Sequence, residues 1–136
     1  MAKRKITPSK LELEILGVLW EARANEQTPL AVRDVRQRLA DAGRQLAHTS
    51  VITVLNIMAD KKMLRRSKRK NASYFTPVVE QAAVQSQALD DVLNRVFDGS
   101  PTQLMLSLLD RDDIHPDSIA EIRRLIKQYK AKRESS

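Results

Sequence analysis

Apolar residues recur along most of this chain at helical spacing. Leu13, Leu16, Val18, Leu19 and Trp20 follow Ser9, which can cap a helix, and Glu12 three residues later completes a capping box, so a first helix is predicted over about 9–22. The polar stretch "ARANEQT" breaks it. Thr28-Pro29 supplies an N-cap with proline at the first helical position, and Leu30, Val32, Val35 and Leu39 form the stripe of a second helix. Gly43 ends that helix in a left-handed cap. His48-Thr49-Ser50 then provides capping hydroxyls for a third, in which Val51, Val54, Leu55 and Met58 share one face at i, i+3, i+4, i+7. Thr49, Ile52, Thr53, Asn56 and Asp60 share the opposite face.

After Lys61-Lys62 the pattern changes to strands. "MLRRS" and "SYFTP" flank a turn-like "KRKNA", which predicts a hairpin. A lone hairpin is marginal, so this one is expected to rest on the helices through Leu64, Tyr74 and Phe75. Beyond Pro77 the period is helical again. Val84, Ala88, Leu89, Val92, Leu93 and Val96 form one stripe, closed by "DGSP" just after Phe97. A shorter helix from about Thr102 to Asp110 carries Leu104, Met105, Leu108 and Leu109, and a last one after His115-Pro116-Asp117 spaces Ile119, Ile122, Ile126 and Tyr129 by 3, 4 and 3, about two heptads. The fold class that follows is mainly α with a small β-hairpin wing. A winged helix-turn-helix is expected over residues 1–77 and a helical module over 78–136.

Charge sharpens this division. Residues 1–77 hold 16 Lys/Arg against 7 Asp/Glu, net +9, while residues 78–136 hold 8 against 10, net −2. The first half is built for an anionic partner. Helix, helix, break, helix and basic hairpin is the order in which an exposed third helix can enter the major groove of double-stranded DNA while the hairpin meets phosphates beside it. Arg65, Arg66, Lys68, Arg69 and Lys70 are the expected phosphate contacts; Thr49, Ser50, Thr53 and Asn56 are the expected hydrogen-bonding readers. Asn56 matches adenine, whose N6 and N7 an amide can pair bidentately. Ile52 either meets a thymine methyl or broadens the core stripe. The plainer alternatives are that Thr49 or Ser50 is only a cap, that Thr53 and Asn56 are surface, that His48 merely precedes the helix, and that Asp60 lies off the DNA face or pairs with a cation.

Other classes find little here. With 4% aromatic residues the core must be mostly aliphatic. The chain has no cysteine, and His48 and His115 lack the spacing of a zinc pair, so neither metal nor cofactor is expected. Carboxylates at Asp90-Asp91 and Asp110, Asp112 and Asp113 have no histidine base, glycine-rich loop or nucleophile elbow near them, and no catalysis is expected. The longest apolar runs fall far short of the roughly 20 residues that span a bilayer. The basic start "MAKRKITPSK" lacks the apolar stretch of a secretory signal, so a cytoplasmic protein is expected. A second functional reading keeps the fold but makes it a protein-assembly module, because fold alone does not fix function; the small, polar face of the third helix discriminates against it.

In order and spacing, "LELEILGVLW", "TPLAVRDVRQRLA", "HTSVITVLNIMADKKMLRR" and "SYFTP" resemble the penicillinase repressor family of bacterial transcriptional repressors, and a weaker likeness continues through "VFDGSPTQLMLSLLDRDDIHPDSIAEIRRLI". The resemblance implies a homodimer that binds an operator through its N-terminal winged helices. It places Thr49, Ser50 and Thr53 on the DNA-reading stretch, and Leu89, Val92, Leu93, Val96, Phe97, Leu104, Leu108, Ile119, Ile122, Ile126 and Tyr129 on the dimerisation module. Two copies would match a palindromic site. In the antibiotic-resistance repressors a sensor protease acts within the segment matching "QLMLSLLD"; here Ser107-Leu108 stands where those relatives have an asparagine and an aromatic. Ile52 replaces a basic reader of some relatives, and the cysteine cluster of the copper-sensing ones is missing.

Overall fold

Ser9 begins the first helix, α1 (Lys10–Ala24), with the predicted reciprocal cap: its hydroxyl accepts the Glu12 N–H at 3.2 Å and the Glu12 carboxylate accepts the Ser9 N–H at 2.8 Å. The structure is a computed structural model that describes residues 7–135; the basic start of the chain, Lys3 to Lys5, lies outside them. α1 buries Ile15, Leu16, Leu19, Trp20 and Ala22. Leu13, expected on the inner stripe, is 42% exposed, because the inward position of that turn belongs to Glu12. The buried Glu12 carboxylate is met by Lys61 Nζ at 3.0 Å.

Burial pushes the Glu12 carboxyl up, but the Ser9 N–H, Lys61 and the Ser9 hydroxyl together outweigh it and hold the group below its ordinary value of 4.5. A carboxyl more acidic folded than unfolded stabilises the fold above the unfolded value, and that contribution is lost as pH falls through the folded one. Glu12→Gln is therefore expected to cost about 1 kcal/mol at neutral pH, with the gap from wild type closing below pH 4.5. Urea midpoints between pH 7 and 3 test this; a constant gap would remove the ion pair as its source.

The predicted start of the second helix is overturned. Thr28–Pro29 is a cis peptide, and Leu30–Ala31 forms a short strand, β1, before α2 (Val32–Asp41) begins. No side chain caps the first-turn N–H groups of α2, because its cap residue is Ala31; the Asp34 carboxylate instead reaches back to accept the Ala31 N–H at 3.1 Å. The physical reason lies in the hairpin, which needs a third strand and finds it at Leu30 and Ala31. α2 ends as expected at Gly43, with φ +91°, where the N–H groups of Gly43 and Arg44 bond back to the carbonyls of Ala40 and Leu39.

The third helix, α3 (His48–Asp60), is preceded by Ala47 at the cap position. Ala47 has no polar side chain, so the expected hydroxyl caps are absent, and Thr49 and Ser50 sit exposed in the first turn. Val51, Leu55 and Met58 are buried; Val54 and Ile52 are half-buried and pack against the same core. Lys62, at φ 68°, closes the helix with the same left-handed motif that Gly43 provides for α2.

β2 (Leu64–Arg69) and β3 (Ala72–Pro77) are longer than predicted, and the turn between them is only Lys70-Asn71. Both turn residues have positive φ, 47° and 65°, as a type I′ turn requires. The sheet order is β1-β3-β2, with Leu30 opposite Phe75 and Arg66 opposite Phe75 on its other side. Leu64 and Phe75 anchor the wing in the core. Tyr74 does not join them, because successive strand residues point to opposite faces; it is half-buried, with the Arg69 guanidinium 5.6 Å from its ring centre.

The described residues divide into two compact units, one ending at Leu89 and the other beginning at Asp90. The packing of the first continues past the wing: the Trp20 indole N–H donates to the Val79 carbonyl at 2.9 Å, Arg23 pairs with Glu80, and Val84, in α4 (Gln81–Val96), is buried. α4 runs across the division. The second unit contains α5 (Pro101–Leu109), capped by Ser100, and α6 (Pro116–Glu134), capped by His115 Nδ1. Among the described residues none from 90 to 135 is buried. No described helix is long and apolar enough to cross a membrane.

Candidate nucleic-acid interface

The site is built on the face of α3 that its apolar stripe leaves outside. Thr49, Ser50 and Thr53 are exposed there and Asn56 is half-buried. The Thr53 hydroxyl donates to the Thr49 carbonyl at 2.7 Å, which commits its proton and leaves its oxygen lone pairs for donors on a partner. The ends of the helix are tied down. Arg36 of α2 donates to the Leu46 carbonyl at 2.8 Å just before α3, and Glu12 holds Lys61 just after it. A reading helix needs such support, since about 1 Å of misplacement is enough to break a directional hydrogen bond. Asp60 is exposed at the far end, beyond Asn56.

The wing supplies the cations, but in two sets. Arg65, Arg66, Lys68, Arg69 and Lys70 are all exposed, yet pairing places Arg66 and Lys68 on the face shared with Phe75 and Ser73, and Arg65 and Arg69 on the face shared with Tyr74 and Thr76. Lys70 stands at the turn. Arg66 leans onto α3, where its Nη1 donates to Asn56 Oδ1 at 2.6 Å. Between the wing and the first half of α3 lies a groove of about 360 Å³, whose lining includes Ile52, Tyr74, Ser73, His48 and Arg33. Sequence reasoning missed Arg33 and Tyr74 as members of this surface. The available signal for Arg33 was a cation in the first turn of the helix adjoining α3. Among the described residues no cluster of His, Cys, Asp or Glu could hold a metal ion.

The predicted dimerisation residues lie elsewhere, along α4, α5 and α6. Leu89, Val92, Val96, Leu108, Ile126 and Tyr129 are exposed, and Leu93, Phe97, Leu104, Ile119 and Ile122 are half-buried. Ser107 and Leu108 are exposed on α5, within the helix and not in a loop.

The sequence profile of the penicillinase repressor family matches residues 8–128. The chain belongs to that family. Relatives of this penicillinase repressor homologue are similar along nearly their whole length. The penicillinase repressor of Bacillus licheniformis is 21% identical over 126 residues, covering 93% of this chain and 94% of that protein. The methicillin resistance regulatory protein MecI of Mammaliicoccus sciuri is 18% identical over 118 residues, and MecI of Staphylococcus aureus strain N315 is 17% identical over 118; each alignment covers 87% of this chain and 91% of the relative. Membership in the penicillinase repressor family makes the chain a transcriptional repressor by class, and repressors of this class are generally not enzymes.

Proposed function

We propose that this penicillinase repressor homologue is a homodimer that binds a palindromic operator in double-stranded DNA and represses by occluding a promoter. The observation that carries the reading is the juxtaposition of the hydroxyl- and amide-bearing face of α3 with a wing bearing five exposed cations, within a half of net charge +9. Thr49, Ser50 and Thr53 meet base edges or phosphates, and the wing holds the backbone beside the groove. Residues 1–77 carry the DNA-binding work and residues 78–136 the pairing of subunits. Release by a sensor protease acting at Ser107-Leu108 fits the exposure of those residues, although a peptide bond inside α5 must first leave the helix to enter a protease cleft.

Selection of bound sequences from a random DNA pool by the full chain tests the reading. A palindrome is expected, with half-sites about one helical turn apart. Enrichment of no sequence would favour an assembly module instead. Neutralising Arg69 and Lys70 to glutamine is expected to reduce the slope of log affinity against log salt by about 0.9 for each phosphate that the wing no longer neutralises, with similar weakening on all sequences. An unchanged slope would take the tip of the wing off the phosphates.

A further inference from the structure

The contact between Asn56 and Arg66 alters what the reading face can recognise. The orientation of the Asn56 amide is fixed by chemistry: a guanidinium has only N–H donors, so the atom facing Arg66 Nη1 at 2.6 Å must be the amide oxygen. Strand register explains why this wing cation reaches the helix. Arg66 lies opposite Phe75, on the face that packs inward, whereas Arg65 and Arg69 lie on the other. Its guanidinium therefore reaches α3 at Asn56, which shares one helical face with Thr49 and Thr53 at spacings of four and three residues.

We propose that Asn56 and Arg66 form one base-reading unit in which Arg66 reads guanine and Asn56 positions it. This rests on the reading that α3 enters the major groove. Recognition of adenine by asparagine needs the amide oxygen to accept from N6 while the amide nitrogen donates to N7. In this protein the oxygen already accepts from a cation, and a second donor approaching it would meet the remaining guanidinium N–H groups. What the pair presents outward is donors only. Guanine offers two acceptors in the major groove, O6 and N7, in the geometry that an arginine fork matches; adenine offers one acceptor beside a donor. The unit therefore favours guanine at a position where asparagine alone would select adenine. A lysine keeps the charge of Arg66 and loses the fork. An aspartate at position 56 keeps the acceptor that holds Arg66 and loses every donor.

The test is selection from a random DNA pool by the full-length wild type, Arg66→Lys, Asn56→Asp and Asn56→Leu, followed by affinity for the selected site with one G·C pair per half-site changed to A·T. Wild type is expected to lose about 5- to 150-fold on that change, the range of one good bidentate pair. Arg66→Lys and Asn56→Leu should lose the discrimination at that one position while keeping the rest of the consensus, the salt slope and the thermal midpoint. Asn56→Asp should weaken binding to all DNA yet retain the preference for guanine. Arg66→Lys with an unchanged consensus would overturn the proposal and make Arg66 a phosphate contact. An A·T preference that Asn56→Asp abolishes would overturn it in favour of direct adenine reading. Failure of wild type to enrich any sequence would overturn the DNA-binding reading, and this proposal with it; that outcome is visible before any variant is made.

Discussion

A chain carrying Leu108→Asp together with Ile126→Asp is expected to sediment as a monomer and to bind its operator about 10²–10⁴-fold more weakly, the factor by which joined binding modules exceed single ones. The second unit is the reason. Among the described residues 90–135 none is buried, although that segment holds Leu106, Leu109, Leu125, Ile126 and Tyr129, each at least half exposed. Monomeric proteins rarely present so much apolar surface. In the proposed homodimer a second copy would offer the same helices in return, and closing the two together would bury the surface at about 25 cal/mol per Å². A carboxylate on α5 and another on α6 would each have to be desolvated in that interface without a partner, which costs several kcal/mol per ion. The circular dichroism of the variant should show that its helices persist, and its binding to random DNA should survive at low salt. A double variant that still sediments as a dimer would refute the assignment of α5 and α6 to subunit pairing.

The second large effect is on stability. Phe75→Ala is expected to cost about 3–5 kcal/mol, the usual range for removing a fully buried phenylalanine, against the total of about 5–15 kcal/mol typical of a domain. Phe75 is 0% exposed on the central strand, between Leu30 on β1 and Arg66 on β2, so its loss opens a cavity where all three strands meet the helices. Tyr74→Ala should cost far less. Its ring is half-buried, and its contact with Arg69 is worth only about 0.5–1 kcal/mol at an exposed site. Urea titrations of both variants make the comparison, with an unchanged denaturant slope as the control for the unfolded state. Equal losses would mean that both aromatics anchor the wing, as expected from the sequence.

Several features of this penicillinase repressor homologue were legible along the chain because they depend on residues only a few positions apart. The Ser9–Glu12 capping box joins groups three residues apart. Gly43 is marked by its freedom to adopt positive φ. The stripe of Val51, Leu55 and Met58 needs only the period of the helix, and the basic hairpin needs only alternation around a turn. The start of α2 departs from its local signal for the opposite reason. Thr28-Pro29 has the local form of a helix start, but the pairing of Leu30 with Phe75 lies 45 residues away and outweighs it. Lys62 was hidden because nothing in a lysine announces the left-handed conformation that it adopts at the end of α3.

By itself, then, the sequence determined the winged helix class, the sites of most helices, the charge of the first half and the outward polar face of α3, since helical and strand periods and charge are properties of the linear order. Tertiary structure alone decided that β1 completes the sheet, that Phe75 and not Tyr74 holds the wing, that Glu12 clamps the end of α3, and that Arg66 engages Asn56. These depend on strand register and on which side chain fills each inward position. One step of register reverses the face of every residue in a strand, and the indole of Trp20 finds its acceptor 59 residues along the chain. Such pairings are selected by the close packing of the whole core, so they exist only once the chain has folded.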